Sequence, residues 1–135
     1  MSAIGDFAEN AIQDWFWRGI AMTPPGTIYL ALYTATPTDA SDSGTEVSAG
    51  GYARKAIVKG TAAWNASSAG TVTNLPAVIV GTATADWGTV TALAFYDTAS
   101  GTGNEYWWGT LTASKVVQNG DIFQFAAGSI SIGLQ

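Results

Sequence analysis

Any acid–base chemistry in this chain falls to its carboxylates. The 135 residues include ten Asp and Glu but no His and no Cys. That composition removes the usual base at neutral pH, any Ser-His-Asp triad, thiolate metal sites, cysteine nucleophiles and disulfides. Asp86, Asp97, Glu105 and Asp121 are the residues on which an acid/base pair of the glycosidase kind would draw. Their spacing does not call for one. Asp97 in "FYDTASG" and Asp121 in "QNGDI" sit in turn sequences, where Asp bonds nearby backbone amides. The expectation is a chain that is not an enzyme, with no catalytic residue, no metal ligand and no cofactor.

Phosphate chemistry is the next candidate. "GYARKAIVKG" at 51–60 holds Arg54, Lys55 and Lys59, three of the five basic residues. As a strand it would put Tyr52, Arg54, Ala56 and Val58 on one face and Ala53, Lys55, Ile57 and Lys59 on the other, so no three-cation pocket forms. A formal charge of −5 also argues against nucleic acid, whose binding rests on neutralising phosphates. "GTGN" at 101–104 lacks the Lys-Ser/Thr and the helix of a phosphate loop and reads as a hairpin turn. Charges along residues 52–58 read as guards of a strand edge. Asn65-Ala66-Ser67 matches a glycosylation acceptor, but no secretory signal precedes it.

The aromatic residues carry more information. Six Trp, five Tyr and five Phe accompany a charged fraction of only 11%, against about 25% in ordinary domains. Exposed aromatic area is commonly contact area. Trp107 and Trp108 are adjacent, so in a strand they point to opposite faces. Trp64 and Trp87 lie beside loop sequences and could extend an aromatic surface. Trp15 and Trp17 are separated by about 200° around a helix. If Trp15 faces the domain's core, Trp17 faces elsewhere.

These residues need elements to hold them. Residues 2–18 place Ile4, Phe7, Ala8, Ala11, Ile12, Trp15 and Phe16 at helical spacing, with Ser2 as the N-cap and Gly19 beyond the C-terminus. Pro24-Pro25 keep the helix from resuming. From residue 27 the period becomes two. "TIYLALYT" at 27–34 is apolar on both sets of positions and reads as a central strand. A polar loop spans 35–51. Further strands are predicted at 52–58, 71–75, 77–80, 89–96, 105–111, 122–125 and 129–134. The fold class that follows is mainly β: an antiparallel, jelly-roll-like β-sandwich with one N-terminal amphipathic α-helix. Residues 1–19 are the helix, packed on the domain or on a neighbour, and residues 20–135 form a single sandwich domain. No segment approaches the ~20 apolar residues of a membrane span.

In order along the chain stand "LALYTATPTDA", "GTEVSAGGYAR", "DWGTVTALAFYD" and "LTASKVVQNGDIFQFAAGSISI". With these the sequence resembles, over nearly its whole length, a family of small tailed-bacteriophage virion proteins. Its members are labelled phage tail fibre proteins or head decoration (cement) proteins. The resemblance implies a non-enzymatic component of the virion, assembled in a host bacterial cytoplasm. The chain shows neither heptads nor a fibrous repeat. That favours a cement protein on the capsid surface, bound to the major capsid protein and to copies of itself, as in a trimer. A tail fibre module that binds host-surface glycan is the alternative; there Trp108, Tyr106, Asn104 and Glu105 would meet the sugar. Trp15, Trp17, Arg54, Trp107 and Trp108 are the interface candidates. "GGYAR" belongs to the recurring framework, which gives Arg54 a role in the fold or in a subunit contact, with the loop around Glu46 as a partner.

Overall fold

The computed structural model describes residues 2–134. The chain runs β1 (Ser2–Ile4), α1 (Asp6–Arg18), β2 (Thr27–Ala35), β3 (Thr45–Glu46), β4 (Lys55–Val58) and β5 (Thr71–Thr73). It continues through β6 (Val78–Thr82), β7 (Gly88–Tyr96), β8 (Glu105–Val117), β9 (Ile122–Phe125) and β10 (Ser131–Gly133). All pairings are antiparallel. The main sheet has the order β1-β8-β7-β2, and the far edge of β2 is shared by β4 along its first half and β3 along its second. β2 is therefore central, as its doubly apolar pattern predicts.

The pairs β5–β10 and β6–β9 form two small sheets. Leu30, Leu32, Val90 and Phe95 of the main sheet meet Val78, Phe123 and Ile130 in one buried cluster. This is the interior of an open β-sandwich. Asn74 ties the small sheets to their connecting loop. Its Nδ2 donates to the carbonyls of Pro76 and Ala126 at 2.8 and 3.0 Å, and its Oδ1 accepts the Ile130 amide at 2.8 Å. Replacing this buried side chain by Ala orphans all three backbone groups. A loss of roughly 3 kcal/mol is expected, read as a lower midpoint in urea unfolding at unchanged slope.

The other face of the main sheet is buried too. Ala31, Tyr33, Ala92, Ala94 and Tyr96 are all covered, with Trp108 packed beside them. The alanines leave room for the loop between β2 and β3 to cross this face. Pro37 is fully buried there, Asp39 Oδ1 accepts the Trp108 indole N–H at 2.8 Å, and Ser41 Oγ accepts the Glu105 amide at 3.0 Å.

The N-terminus departs from expectation. Residues 2–4 are not the first helical turn; they pair with β8 from Ser2↔Gly109 to Ile4↔Trp107. The N-cap is Gly5, which has no side chain to cap with. A Cβ on Gly5 would stand 2.6 Å from the Glu105 carbonyl oxygen, so the close approach of the two backbones requires glycine. At the other end Gly19 adopts φ +67°, the left-handed cap predicted for it. Residues 52–54 also lie outside any strand, since β4 begins at Lys55. β8 is longer than its apolar pattern suggests because residues 111–114 arch out opposite Thr91 alone.

Candidate interaction surface

Among the helix residues, Ala8 is the one that is fully buried. Phe7 packs edge-on to Tyr106 at 5.3 Å between ring centroids. Thirteen residues at 1.5 Å each make a rod of about 20 Å, buried at Ala8 in its first half and exposed from Trp15 to Trp17 at its end. The helical period predicts that Trp15 continues the core-facing stripe. Instead Trp15, Phe16 and Trp17 are 52%, 63% and 74% exposed, with the Phe16 ring edge-on to both indoles. Helical periodicity identifies a shared face but not how far along the helix that face stays covered. Ile20 and Met22, in the loop that follows, extend this exposed apolar end.

Trp107 and Trp108 do point to opposite faces, and both are half-buried rather than presented to solvent. The Trp108 indole is held by Asp39, and the Trp107 indole N–H donates to the Gly133 carbonyl at 3.1 Å. Trp107 is a wall between cavities. A groove of about 260 Å³ runs under α1 past Ala11, Ile12, Met22 and Pro24. A trough of about 820 Å³ lies beyond, between Trp64, Phe95, Val72, Leu75 and Ile132. Ile28 and Trp107 line both. Trp87, by contrast, is in the core, its indole donating to the Gly50 carbonyl at 2.8 Å.

Arg54 is not available to a partner subunit. Its side chain is 3% exposed. Nε and Nη2 grip the two oxygens of Glu46 at 2.8 Å each, in the bidentate geometry that guanidinium favours. Nη1 donates to the carbonyl and hydroxyl of Thr98 at 3.0 and 3.1 Å, and Nη2 donates to the Gly101 carbonyl at 2.9 Å. The guanidinium also lies 4.2 Å from the centre of the Tyr96 ring. A cation expected at an interface thus joins the loop around Glu46 to the hairpin after β7. The pairing with Glu46 follows the sequence expectation.

Sequence periodicity missed Glu105. Counting by two from Trp107 places Glu105 on the inner face. However, Phe95 pairs with Trp107 while Tyr96 pairs with Glu105, so Tyr106 is a bulge that turns Glu105 to the opposite side. There it is fully buried. Oε2 accepts the Tyr96 hydroxyl at 3.1 Å, the Tyr33 hydroxyl is 2.7 Å further along, and Oε1 has no partner among the described residues. Burial pushes the Glu105 carboxyl up to about 7. The Tyr96 hydroxyl opposes the rise, and Asp39, Asp42 and Asp6 add to it. Burial likewise pushes Tyr96 up to about 12.

The remaining carboxylates serve turns. Asp97 accepts the backbone amide and the side-chain amide of Asn104 at 2.9 and 2.8 Å. Asp121 accepts the Gln118 amide, and Asp86 accepts the Asn119 amide, each at 2.9 Å. Of the residues expected to meet a sugar around β8, Glu105 is inaccessible, the Asn104 side chain is held by Asp97, and Tyr106 lies between Phe7 and Trp107.

The family described as podophage GP4 fiber I protein gp80 matches residues 3–133. The chain belongs to this family. None of the curated proteins compared with it matches. A phage fibre protein is a virion structural component, and the β-rich fold agrees with that class. In this fibre-family chain the three most exposed aromatic residues gather at the end of α1. The indoles of β8, adjacent in sequence and conspicuous there, are built into the sandwich instead.

Proposed function

We propose that the chain is a non-enzymatic structural subunit of the fibre apparatus of a podophage particle. Beyond family membership, one observation carries the reading: the end of α1 leaves more than half of the surface of Trp15, Phe16 and Trp17 exposed among the described residues. A sparsely charged protein that leaves three large aromatics in solvent gains free energy by covering them, and interface energy concentrates in such residues. The four candidate acid/base carboxylates support the same reading, since Asp86, Asp97 and Asp121 hold turns and Glu105 is sealed beneath a loop.

The test is to disrupt particles, separate heads from tails, and measure the chain in each fraction. The expected result is recovery with tails at a low copy number per particle. A capsid cement protein is the second reading, favoured by the absence of any shaft among the described residues, where the longest helix has 13 residues. Recovery on DNA-filled heads, in numbers matching the shell subunits, would select it over the fibre reading.

A further inference from the structure

We propose that residues 36–44, the loop between β2 and β3, form a strap that the uncharged Glu105 carboxyl latches onto the sheet and that its ionised form releases. The device belongs to the subunit itself, whichever part of the particle that subunit occupies. The strap holds its own shape: Ser43 Oγ accepts the Thr38 amide and donates to the Ala40 carbonyl, each at 2.7 Å. Pro37 is buried, while Thr38, Asp39, Ala40 and Asp42 are exposed, so its outer side faces solvent. The hydrogen bonds that tie it to the rest of the fold gather around Glu105. The Asp42 amide donates to the Tyr96 hydroxyl, which donates in turn to Glu105 Oε2 at 3.1 Å. Ser41 Oγ accepts the Glu105 amide at 3.0 Å, and Asp39 accepts the Asp6 amide and the Trp108 indole.

With the strap shut, Glu105 is badly placed to ionise. Oε2 accepts one hydrogen bond, and Oε1 accepts none among the described residues. The charges that bear on it are negative: Asp39 and Asp42 of the strap and Asp6 of α1. The sheet contributes only hydroxyls, Tyr96 from β7 and Tyr33 from β2. Arg54 lies over the Tyr96 ring but is engaged in a bidentate pair with Glu46, whose own charge reaches Tyr33. A negative charge on Glu105 therefore joins three others with no cation of its own, and it has to be hydrated. β7 is hydrogen-bonded on both sides, to β2 and to β8, and cannot yield locally. The strap hangs on a few bonds and carries two of the repelling carboxylates, so lifting it is the least costly way to bring water to Oε1. The sign follows: with the folded carboxyl raised above 4.5, the preference for the shut strap is complete below that value and is lost as pH rises through about 7.

Hydrogen exchange of the full chain, read by NMR as protection factors at pH 5 and pH 8, tests this. The amides of Asp6, Asp42 and Glu105 report the strap, because each bonds across the seam. Amides of the β2–β7 ladder report the whole fold. The strap amides are expected to be less protected than the ladder at both pH values. Their protection is expected to fall at least about tenfold between pH 5 and pH 8, within the roughly 70-fold that values of 4.5 and about 7 permit. Glu105→Gln is expected to hold strap protection constant with pH. Asp42→Asn keeps the buried carboxyl, removes one repelling charge and suits the φ of +63° at that position, so the fall is expected to be smaller than in wild type. It also serves as the second variant should Glu105→Gln fail to fold, and thermal melting at pH 5 checks both. Strap protection equal to that of the ladder at every pH means that the strap opens only with the whole fold, and overturns the proposal. So does wild-type protection that does not change with pH, or a fall of wild-type size in either variant.

Discussion

Replacing Arg54 by Met is expected to cost about 3–5 kcal/mol of folding stability, lowering Tm by roughly 10–20 °C in a domain of this size. Met keeps the length of the stem and removes the charge. What remains is a Glu46 carboxylate without its bidentate partner, together with the carbonyls of Thr98 and Gly101 without theirs. Glu46 is also the acceptor for the Tyr52 hydroxyl at 2.7 Å, and that hydroxyl accepts the Leu32 amide at 3.0 Å, so the disturbance reaches the central strand. Arg54→Lys should recover only part of the loss, because an ammonium cannot reproduce the planar fork. Chemical denaturation of the three proteins provides the comparison. A methionine variant within about 1 kcal/mol of wild type would show that the buried pair gains little over an apolar neighbour, as happens for some buried ion pairs.

The second large effect concerns pH. Glu105 has its folded pKa raised from 4.5 to about 7 by burial, so the folded state prefers the protonated acid. Its favourable contribution is complete below the ordinary carboxyl pKa and is lost as pH rises towards 7, beyond which it is flat. Each tenfold change in proton affinity is worth about 1.4 kcal/mol, so the loss across that window is about 3 kcal/mol. Glu105→Gln carries a neutral group of the same shape. The variant is expected to match wild type below pH 4.5 and to become progressively more stable than wild type up to pH 7. Urea unfolding at a series of pH values measures the gap. A gap that stays constant with pH, or a variant weaker at about pH 8, would mean that the carboxyl finds its counter-charge elsewhere. The region concerned is the seam where Gly5, the β2–β3 loop and β8 meet: the Gly5 amide bonds the Tyr106 carbonyl at 2.8 Å, and the Asp6 amide bonds the Asp39 carbonyl at 2.9 Å. Loosening should appear there first, as faster amide exchange at neutral pH than at about pH 5.

Much of this architecture is legible in the chain because local rules set it. Period-two alternation and turn residues located nearly every strand, and β9 spans 122–125 as predicted. The two apolar sets in "TIYLALYT" made β2 central, and Gly19 ended the helix where a left-handed residue was needed. The Arg54–Glu46 pair was also foreseeable, since an arginine beside an acidic loop has few other partners in so sparsely charged a chain. The first strand was not foreseeable: three residues contain too little pattern, and "SAI" joins the sheet only because β8 offers an open edge.

Sequence alone, then, determined the class: a β-rich chain without histidine or cysteine chemistry, rich in aromatics, whose motifs in order resemble those of a phage virion family. The tertiary structure decided which of those aromatics and charges are left for a partner. A one-residue bulge at Tyr106 buried Glu105, a loop crossing small alanines packed against Trp108, and the end of α1 stayed in solvent. Exposure depends on what other segments arrive to cover a side chain, and that is a property of the assembled chain rather than of any window within it.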